Sequence, residues 1–454
     1  MSAPAAIFTL PDELLIAIVA TDQQGRGTCC PVARKSEWLL SHVCRRFRTV
    51  ITGAPILWAD VEVSLPSNSA EGRQKSRQLL KLFLQRSYPV NVSVSLRLLS
   101  AVNAAVLRTH WLPEIVPQLD RLQSLSVVFS IKQDDLSFEF ASLRDAAAPN
   151  LVHLEIANID GTLYGPWIQR RRSALEVFSG GAPKLSSVRM CGFIPSPTPP
   201  WKTSLTRLQI EMGGQRLLRV QEYMSILTQS SCLTHLLLDL SCIHSAPITP
   251  QIRIPLLEFL TLRIDEAQYE SYLRDALDSF DCPLLTELVF VGSHGDQVFS
   301  LLKLPHLPRA SFPTLQCLSF INKNINGCAC QDDSPLWTST RFAEPPLFPT
   351  LVCLTLINQC FMADLVTEIV GGTPLPNLKT LTLCSEGGSV VDVRSALQDA
   401  VRQSSQKIPA LRLSPKLFFA EDWQAGGRNV ELFDPEEVIK ASVSCVLACV
   451  SSAK

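Results

Sequence analysis

The sequence predicts an α/β chain: a small all-helical unit, then an irregular repeat array whose short strands form a parallel curved sheet. Three observations predict it. Residues 1–60 hold two amphipathic helical segments. A phrase of the form P-x-L-x-x-L-x-L, with aliphatic or aromatic substitutes, then recurs seven times, and proline-free versions starting at Leu122, Leu205 and Leu233 bring the count to ten. The stretches between phrases are long enough to carry the chain back across a sheet, and some have helix-like apolar spacing. The expected organisation is 1–60 helical unit, 61–120 linker with a first strand and helix, 121–420 repeat array and 421–454 C-terminal capping helix region.

The helical unit begins at "LPDELLIAIVA", where Pro11 stands at a helix start and Asp12 and Glu13 occupy the first turn. Both placements suit the helix dipole. Leu14, Leu15, Ile18 and Val19 make one apolar stripe. "TDQQGRGTCCPVARKS" reads as a loop punctuated by Gly25, Gly27 and Pro31. A second helix is expected from Ser36 to Thr52, with Leu40, Val43, Phe47 and Val50 on one face and Arg45, Arg46 and Arg48 largely off it. Gly53 ends it, and Pro55 prevents quick resumption. From Trp58 to Val63 the residues alternate as in a half-buried strand. Two short amphipathic helices cannot bury their faces alone. They either cap the repeat array or dock on another protein.

The first leucines of the ten phrases are Leu122, Leu151, Leu185, Leu205, Leu233, Leu257, Leu285, Leu315, Leu351 and Leu378. Their mean spacing of about 28 residues is that of a solenoid unit. Further strands are expected at Val90–Leu96 and Leu411–Leu413. Return arms with helix-like spacing are expected at Arg172–Gly181 and Gln221–Ser230. Near the end, Asp434-Pro435-Glu436-Glu437 offers a helix start, with Val438, Ile439, Ser442, Cys445, Val446 and Cys449 on one side.

If the later leucines of each phrase point inward, their neighbours point outward. In the early and middle repeats these are His153, Glu155, Arg189, Arg207, Gln209, Glu211, His235, Asp239, Arg263 and Glu287, a polar face of mixed sign. In the last repeats they are Val289, Val291, Cys317, Ile321, Cys353, Ile357, Thr380 and Cys384. That apolar face is expected to be covered, by the insert Asn322–Leu347 or by a target protein. Arg189, Arg207, Gln209, Glu211, His235, Asp239 and Arg263 are the candidate target-binding residues. Arginine forks suit an acidic or phosphorylated segment, and ion pairing to Glu211 and Asp239 is the competing reading.

"LPDELL" followed by "LLSHVCRRF…APILW" resembles the F-box motif, especially its fungal F-box-like form, and the recurring phrase resembles a leucine-rich repeat. The resemblance implies docking on the Skp-type adaptor of an SCF (Skp–cullin–F-box) ubiquitin ligase, and through it on a cullin-RING ligase. It implies adaptor contacts at Leu10, Pro11, Leu14, Leu15, Ile18, Leu40, Val43, Cys44, Phe47 and Trp58. The inter-helix loop Thr21–Lys35 is longer than the usual few residues, and Phe47 stands where tryptophan is most common. The solenoid would present a target protein to the ligase. The alternative is a leucine-rich-repeat scaffold or inhibitor with no ligase link.

The formal net charge of -1 gives no support to nucleic-acid or anionic-membrane binding. No apolar run is long enough to span a bilayer, and "MSAPAAIFTLPDELL" lacks a basic start. With the 15 Cys expected mostly reduced and buried, the expected location is cytoplasmic or nuclear. Cys29–Cys30 and Cys328/Cys330 lack partners at zinc spacing. No H-E-x-x-H, G-x-S-x-G or phosphate-loop motif is present. The expectation is therefore a binding protein without metal or cofactor and not an enzyme, with a cysteine hydrolase as a distant third reading.

Overall fold

The computed structural model describes residues 10–25, 36–65, 69–98, 106–130, 137–158, 175–193, 196, 203–211, 220–240, 252–264, 277–292, 312–322, 348–358, 375, 377–384, 393–395, 397–399, 410–414, 417 and 430–432. The chain divides into two units, Met1–Leu205 with Glu211–Gly214, and Thr206–Ile210 with Gln215–Lys454.

The first unit opens with α1 (Asp12–Gly25), α2 (Ser36–Ser41), α3 (Arg45–Thr52) and a 3-10 turn at Pro55–Trp58. Strand β1 (Asp60–Ser64), helix α4 (Ala70–Arg86) and β2 (Val92–Leu98) follow. A short helix α5 (Leu112–Ile115) leads to β3 (Leu122–Phe129), α6 (Ala141–Arg144), β4 (His153–Asn158) and β5 (Ser187–Cys191). Strands β1 to β5 pair in sequence order, all parallel.

The second unit carries β6 (Arg207–Glu211, its last residue grouped with the first unit), α7 (Val220–Gln229), β7 (His235–Asp239), β8 (Ile252–Arg253) and β9 (Phe259–Arg263). Next come β10 (Phe280–Asp281), β11 (Glu287–Val291), β12 (Cys317–Ile321) and β13 (Cys353–Ile357). Strands β14 (Thr380–Cys384), β15 (Ala410–Leu413) and β16 (Val430–Leu432) complete it. Its parallel sheet runs β6-β7-β9-β11-β12-β13-β14-β15-β16, and β8 pairs separately with β10.

Each of the ten phrases yields one strand of these sheets. The proline has a defined job. The Ala148 carbonyl accepts from the Leu151 N–H at 3.1 Å, so Pro149 is the second residue of a four-residue turn, where its fixed φ fits. The same bond recurs at Ala182/Leu185, Ile254/Leu257, Cys282/Leu285, Phe312/Leu315 and Phe348/Leu351. Polar side chains beside the proline tie each turn to the one before: Thr350 Oγ1 donates to the Leu315 carbonyl at 2.7 Å, and Asn377 Nδ2 to that of Pro349 at 2.6 Å. The strand then points its second and third apolar residues inward. Leu318, Phe320, Leu354 and Leu356 are 0–1% exposed, each stabilising the fold by about 1.5–3 kcal/mol. Phe290 and Phe320 stack in register, ring centroids 5.1 Å apart.

Several expectations need correction. The helix expected over Ser36–Thr52 is two helices, because Cys44 adopts an extended backbone (φ -155°, ψ 170°) and caps α3. The strand expected from Trp58 starts at Asp60, because Pro55 opens a 3-10 turn that ends on Trp58. The expected return helix Arg172–Gly181 is not helical from Leu175 onward. There Phe178 takes φ 57°, and its N–H and that of Ser179 bond at 2.7 Å to the carbonyls of Leu143 and Arg144 in the preceding repeat. Helix α7 and strand β15 fall where expected, and β2 two residues later. Helix α4 falls in the segment 61–120 where a first helix was expected, and strand β16 was not anticipated. The helix expected from Asp434, the insert 323–347 and the paired cysteines 29–30 and 328/330 lie outside the described residues.

Candidate functional site

The helical unit is held by bonds that account for the doubled arginine, the cysteine and the tryptophan of "LLSHVCRRFRTVITGAPILW". Arg46 donates to Asp12 Oδ1 at 2.6 Å and to the Leu10 carbonyl, pinning the start of α1 to α3. Arg48 Nε donates to the Ser41 carbonyl at 3.0 Å at the end of α2. Cys44 Sγ accepts from the Phe47 N–H at 3.5 Å. Trp58 is fully buried; its Nε1 donates to the Ile51 carbonyl at 2.8 Å, and its ring meets Phe83 edge-on at 5.1 Å. The Arg86 guanidinium lies 4.4 Å from that ring's centroid, a cation–π contact joining the helical unit to α4. Across the top, Gln23 Nε2 donates to Glu37 Oε2 and to the Leu57 carbonyl.

This packing sorts the ten residues implied as adaptor contacts. Leu15, Phe47 and Trp58 are buried within the chain, and Leu10, Leu40 and Cys44 are half-buried. Pro11, Leu14, Ile18 and Val43 are exposed. The break at Cys44 explains why Val43 and Phe47, four residues apart, do not share a face: Val43 is 55% exposed and Phe47 3%. Two exposed apolar residues were missed, Leu39 and Ile56. The Leu39-Leu40 doublet was the signal for the first: one helix position cannot bury both neighbours.

The candidate target-binding residues divide between the two units. In the first, Arg189 is not a free fork. Its Nη1 contacts Glu155 Oε1 at 2.5 Å, its Nη2 contacts Glu211 Oε1 at 3.1 Å, and Ser126 Oγ donates to the other Glu155 oxygen. Burial works to lower the Arg189 pKa, but the charges of Glu211 and Glu155 outweigh it and raise it. The ion-pair reading holds for this residue. Elsewhere on this outward face Ser93, Ser124, His153 and Ser187 stand in register and are half-exposed, whereas Ala157 and Cys191 at the other end of β4 and β5 are buried.

In the second unit Gln209, His235 and Asp239 are buried, while Arg207 and Arg263 are half-exposed. His235 stacks on Phe259 at 4.3 Å, and burial, then the charge of Arg207, lowers its pKa to about 4. Arg263 Nε lies 4.0 Å from its register neighbour Asp239. Further along, Val291, Ile321, Ile357 and Cys384 form a row, one from each of β11 to β14, in register. Each is at most 4% exposed. These four side chains are buried within the chain, while the insert considered as their cover lies, beyond Asn322, outside the described residues. The opposite end of the same strands stays half-open, where Glu287, Cys317, Cys353 and Thr380 are neighbours in register.

Among the described residues no helix is long and apolar enough to cross a membrane. The described cysteines are free thiols. No family model matches the chain, and no curated protein matches it.

Proposed function

We propose that this chain is a substrate-receptor subunit of an SCF-type ubiquitin ligase, acting in the cytoplasm or nucleus. The helical unit docks on a Skp-type adaptor, and the repeat array holds a target protein near the ligase. The chain performs no chemistry; it raises the local concentration of target lysines at the charged ubiquitin-conjugating enzyme. One observation carries the docking half of this reading. Among the described residues nine large apolar side chains are exposed, and five of them (Leu14, Ile18, Leu39, Val43 and Ile56) sit on the helical unit. Exposed apolar residues concentrated on one small unit mark an interaction surface, and helices α1 to α3 already bury Leu15, Phe47 and Ile51 against one another.

The half-exposed polar face of the first unit is the surface offered to the target. The adaptor-binding set is accordingly narrowed to Pro11, Leu14, Ile18, Leu39, Val43 and Ile56, with Leu15, Phe47 and Trp58 as its supports. The test is reconstitution with purified Skp-type adaptor and cullin. Co-elution of the three proteins on size exclusion is expected. A chain that elutes alone at micromolar concentrations instead belongs with the scaffold or inhibitor reading.

A further inference from the structure

The two repeats "PTLQCLSF" and "PTLVCLTL" place a cysteine at the same position of successive strands. In the fold these residues, Cys317 on β12 and Cys353 on β13, are direct register partners. Register partners in a parallel sheet share a face, and both thiols are free and half-exposed on it. The third described cysteine of this region, Cys384, is fully buried at the far end of β14. Glu287 flanks Cys317 on one side and Thr380 flanks Cys353 on the other.

The spacing decides what such a pair can do. In-register neighbours on parallel strands lie about 4.8 Å apart, wider than the roughly 3.8 Å mean Cβ separation of a disulfide. A direct sulfur–sulfur bond therefore requires the strands to move. A single soft atom does not, because a metal–thiolate bond is about 2.3 Å long and two such bonds span up to about 4.6 Å. We propose that Cys317 and Cys353 form a two-sulfur site for a soft, thiophilic centre, one that bonds both sulfurs at once. Among the described residues no group of three or more His, Cys, Asp or Glu is placed to hold a metal ion, so among them the site offers two sulfurs and no third ligand. That favours centres content with a dithiol over those that need four ligands.

Protonation fits the same chemistry. Burial, then the neighbouring Cys353 with which it hydrogen-bonds, and then Glu287 push the Cys317 thiol up to about 12, and burial also raises the Glu287 carboxyl. Cys317 is thus held as a thiol. A trivalent arsenical oxide reacts with two thiols without requiring free thiolate at equilibrium. Two arsenic–sulfur bonds form, the arsenic–oxygen bond breaks, and the oxygen leaves as water carrying both thiol protons. Arsenic stays trivalent, so no oxidant or reductant is consumed.

The experiment incubates the reduced full-length chain with phenylarsine oxide and maps the product by mass spectrometry under non-reducing digestion. The expected result is one phenylarsenic group joining the peptide that contains Cys317 to the peptide that contains Cys353. A Cys317→Ser, Cys353→Ser chain should bind one equivalent fewer, and Cys384→Ser should bind as the wild type does. The wild-type cross-linked peptide is read directly, so the test stands even if a serine variant folds poorly. Arsenic found only at other cysteines, or a Cys317–Cys353 disulfide formed in place of the arsenical bridge, would overturn the proposal.

Discussion

The outward faces of β2 and β3 in the first unit and of β11 to β14 in the second are built on the same strand pattern and have opposite characters. On β2 and β3 of the first unit the outward residues Ser93, Ser95, Arg97, Ser124, Ser126 and Val128 stay half-exposed from one end of the strand to the other, whereas β4 and β5 end in buried Ala157 and Cys191. On β11 to β14 of the second unit exposure falls along the strand. The first residues, such as Glu287, Cys317 and Cys353, are half-exposed, whereas Val291, Ile321 and Ile357 at the other end are at most 4% exposed. The inward leucines are alike in both units. The repeat thus sets the fold, while the residues beside the leucines set which part of the sheet meets solvent.

The largest effect expected from this difference is at Ile321. Ile321→Asn places an amide among Val291 and Ile357 and should cost about 3–5 kcal/mol, combining lost burial with an unsatisfied polar group. The same asparagine at Ser95, on the half-exposed first-unit face, should change stability by no more than about 0.5 kcal/mol. Urea midpoints of the two variants measure the contrast, and equal shifts would mean that the two faces are covered alike.

His235 gives a pH readout confined to the second unit. Its folded pKa of about 4 lies below the usual 6.5, through burial first and Arg207 second. Between these values the unfolded chain binds the proton and the folded chain does not, so stability rises with pH across the window. The contribution is complete above pH 6.5 and is lost as pH falls towards 4, by about 3 kcal/mol. His235→Phe should flatten the stability–pH curve between pH 6.5 and 4; a curve parallel to wild type would place His235 in contact with water.

A smaller effect is expected from Arg189→Ala in the first unit. It leaves Glu155 and Glu211 without their shared cation and should cost about 1–3 kcal/mol, less than a fully buried pair because Arg189 is partly solvated. Arg189→Ala, Glu155→Gln, Glu211→Gln should recover most of that loss in a thermal melt. No recovery would show that the arginine acts by packing alone.

The strands were legible because the repeat carries its own punctuation. Seven of the ten phrases open on a proline and all ten carry the leucine pair that marks the inward face, and all ten became strands. The covered row at Val291, Ile321 and Ile357 was legible too, since three apolar residues at one outward position demand a cover. The helical unit was read less well. An apolar stripe drawn through Leu40, Val43 and Phe47 assumes unbroken helix, and nothing in the pattern shows that Cys44 caps a new one. Periodicity also cannot say which side of a short helix faces the chain's own core and which faces a partner. Phe47 and Trp58 therefore looked like contacts and are buried within the chain. Arg189 looked available because its partner Glu155 lies 34 residues away, joined to it only by the strand register.

The separation of supports from surface on the helical unit is tested most directly by titrating purified Skp-type adaptor into three forms of the chain in a calorimeter, each with its thermal melt recorded. Leu14→Asp, Ile18→Asp alters two exposed positions and should abolish measurable binding while leaving the melting temperature within about two degrees of wild type. Phe47→Ala removes a buried ring and should lower the stability of the unit by about 3–5 kcal/mol. Wild-type affinity in the Leu14→Asp, Ile18→Asp chain would contradict the account.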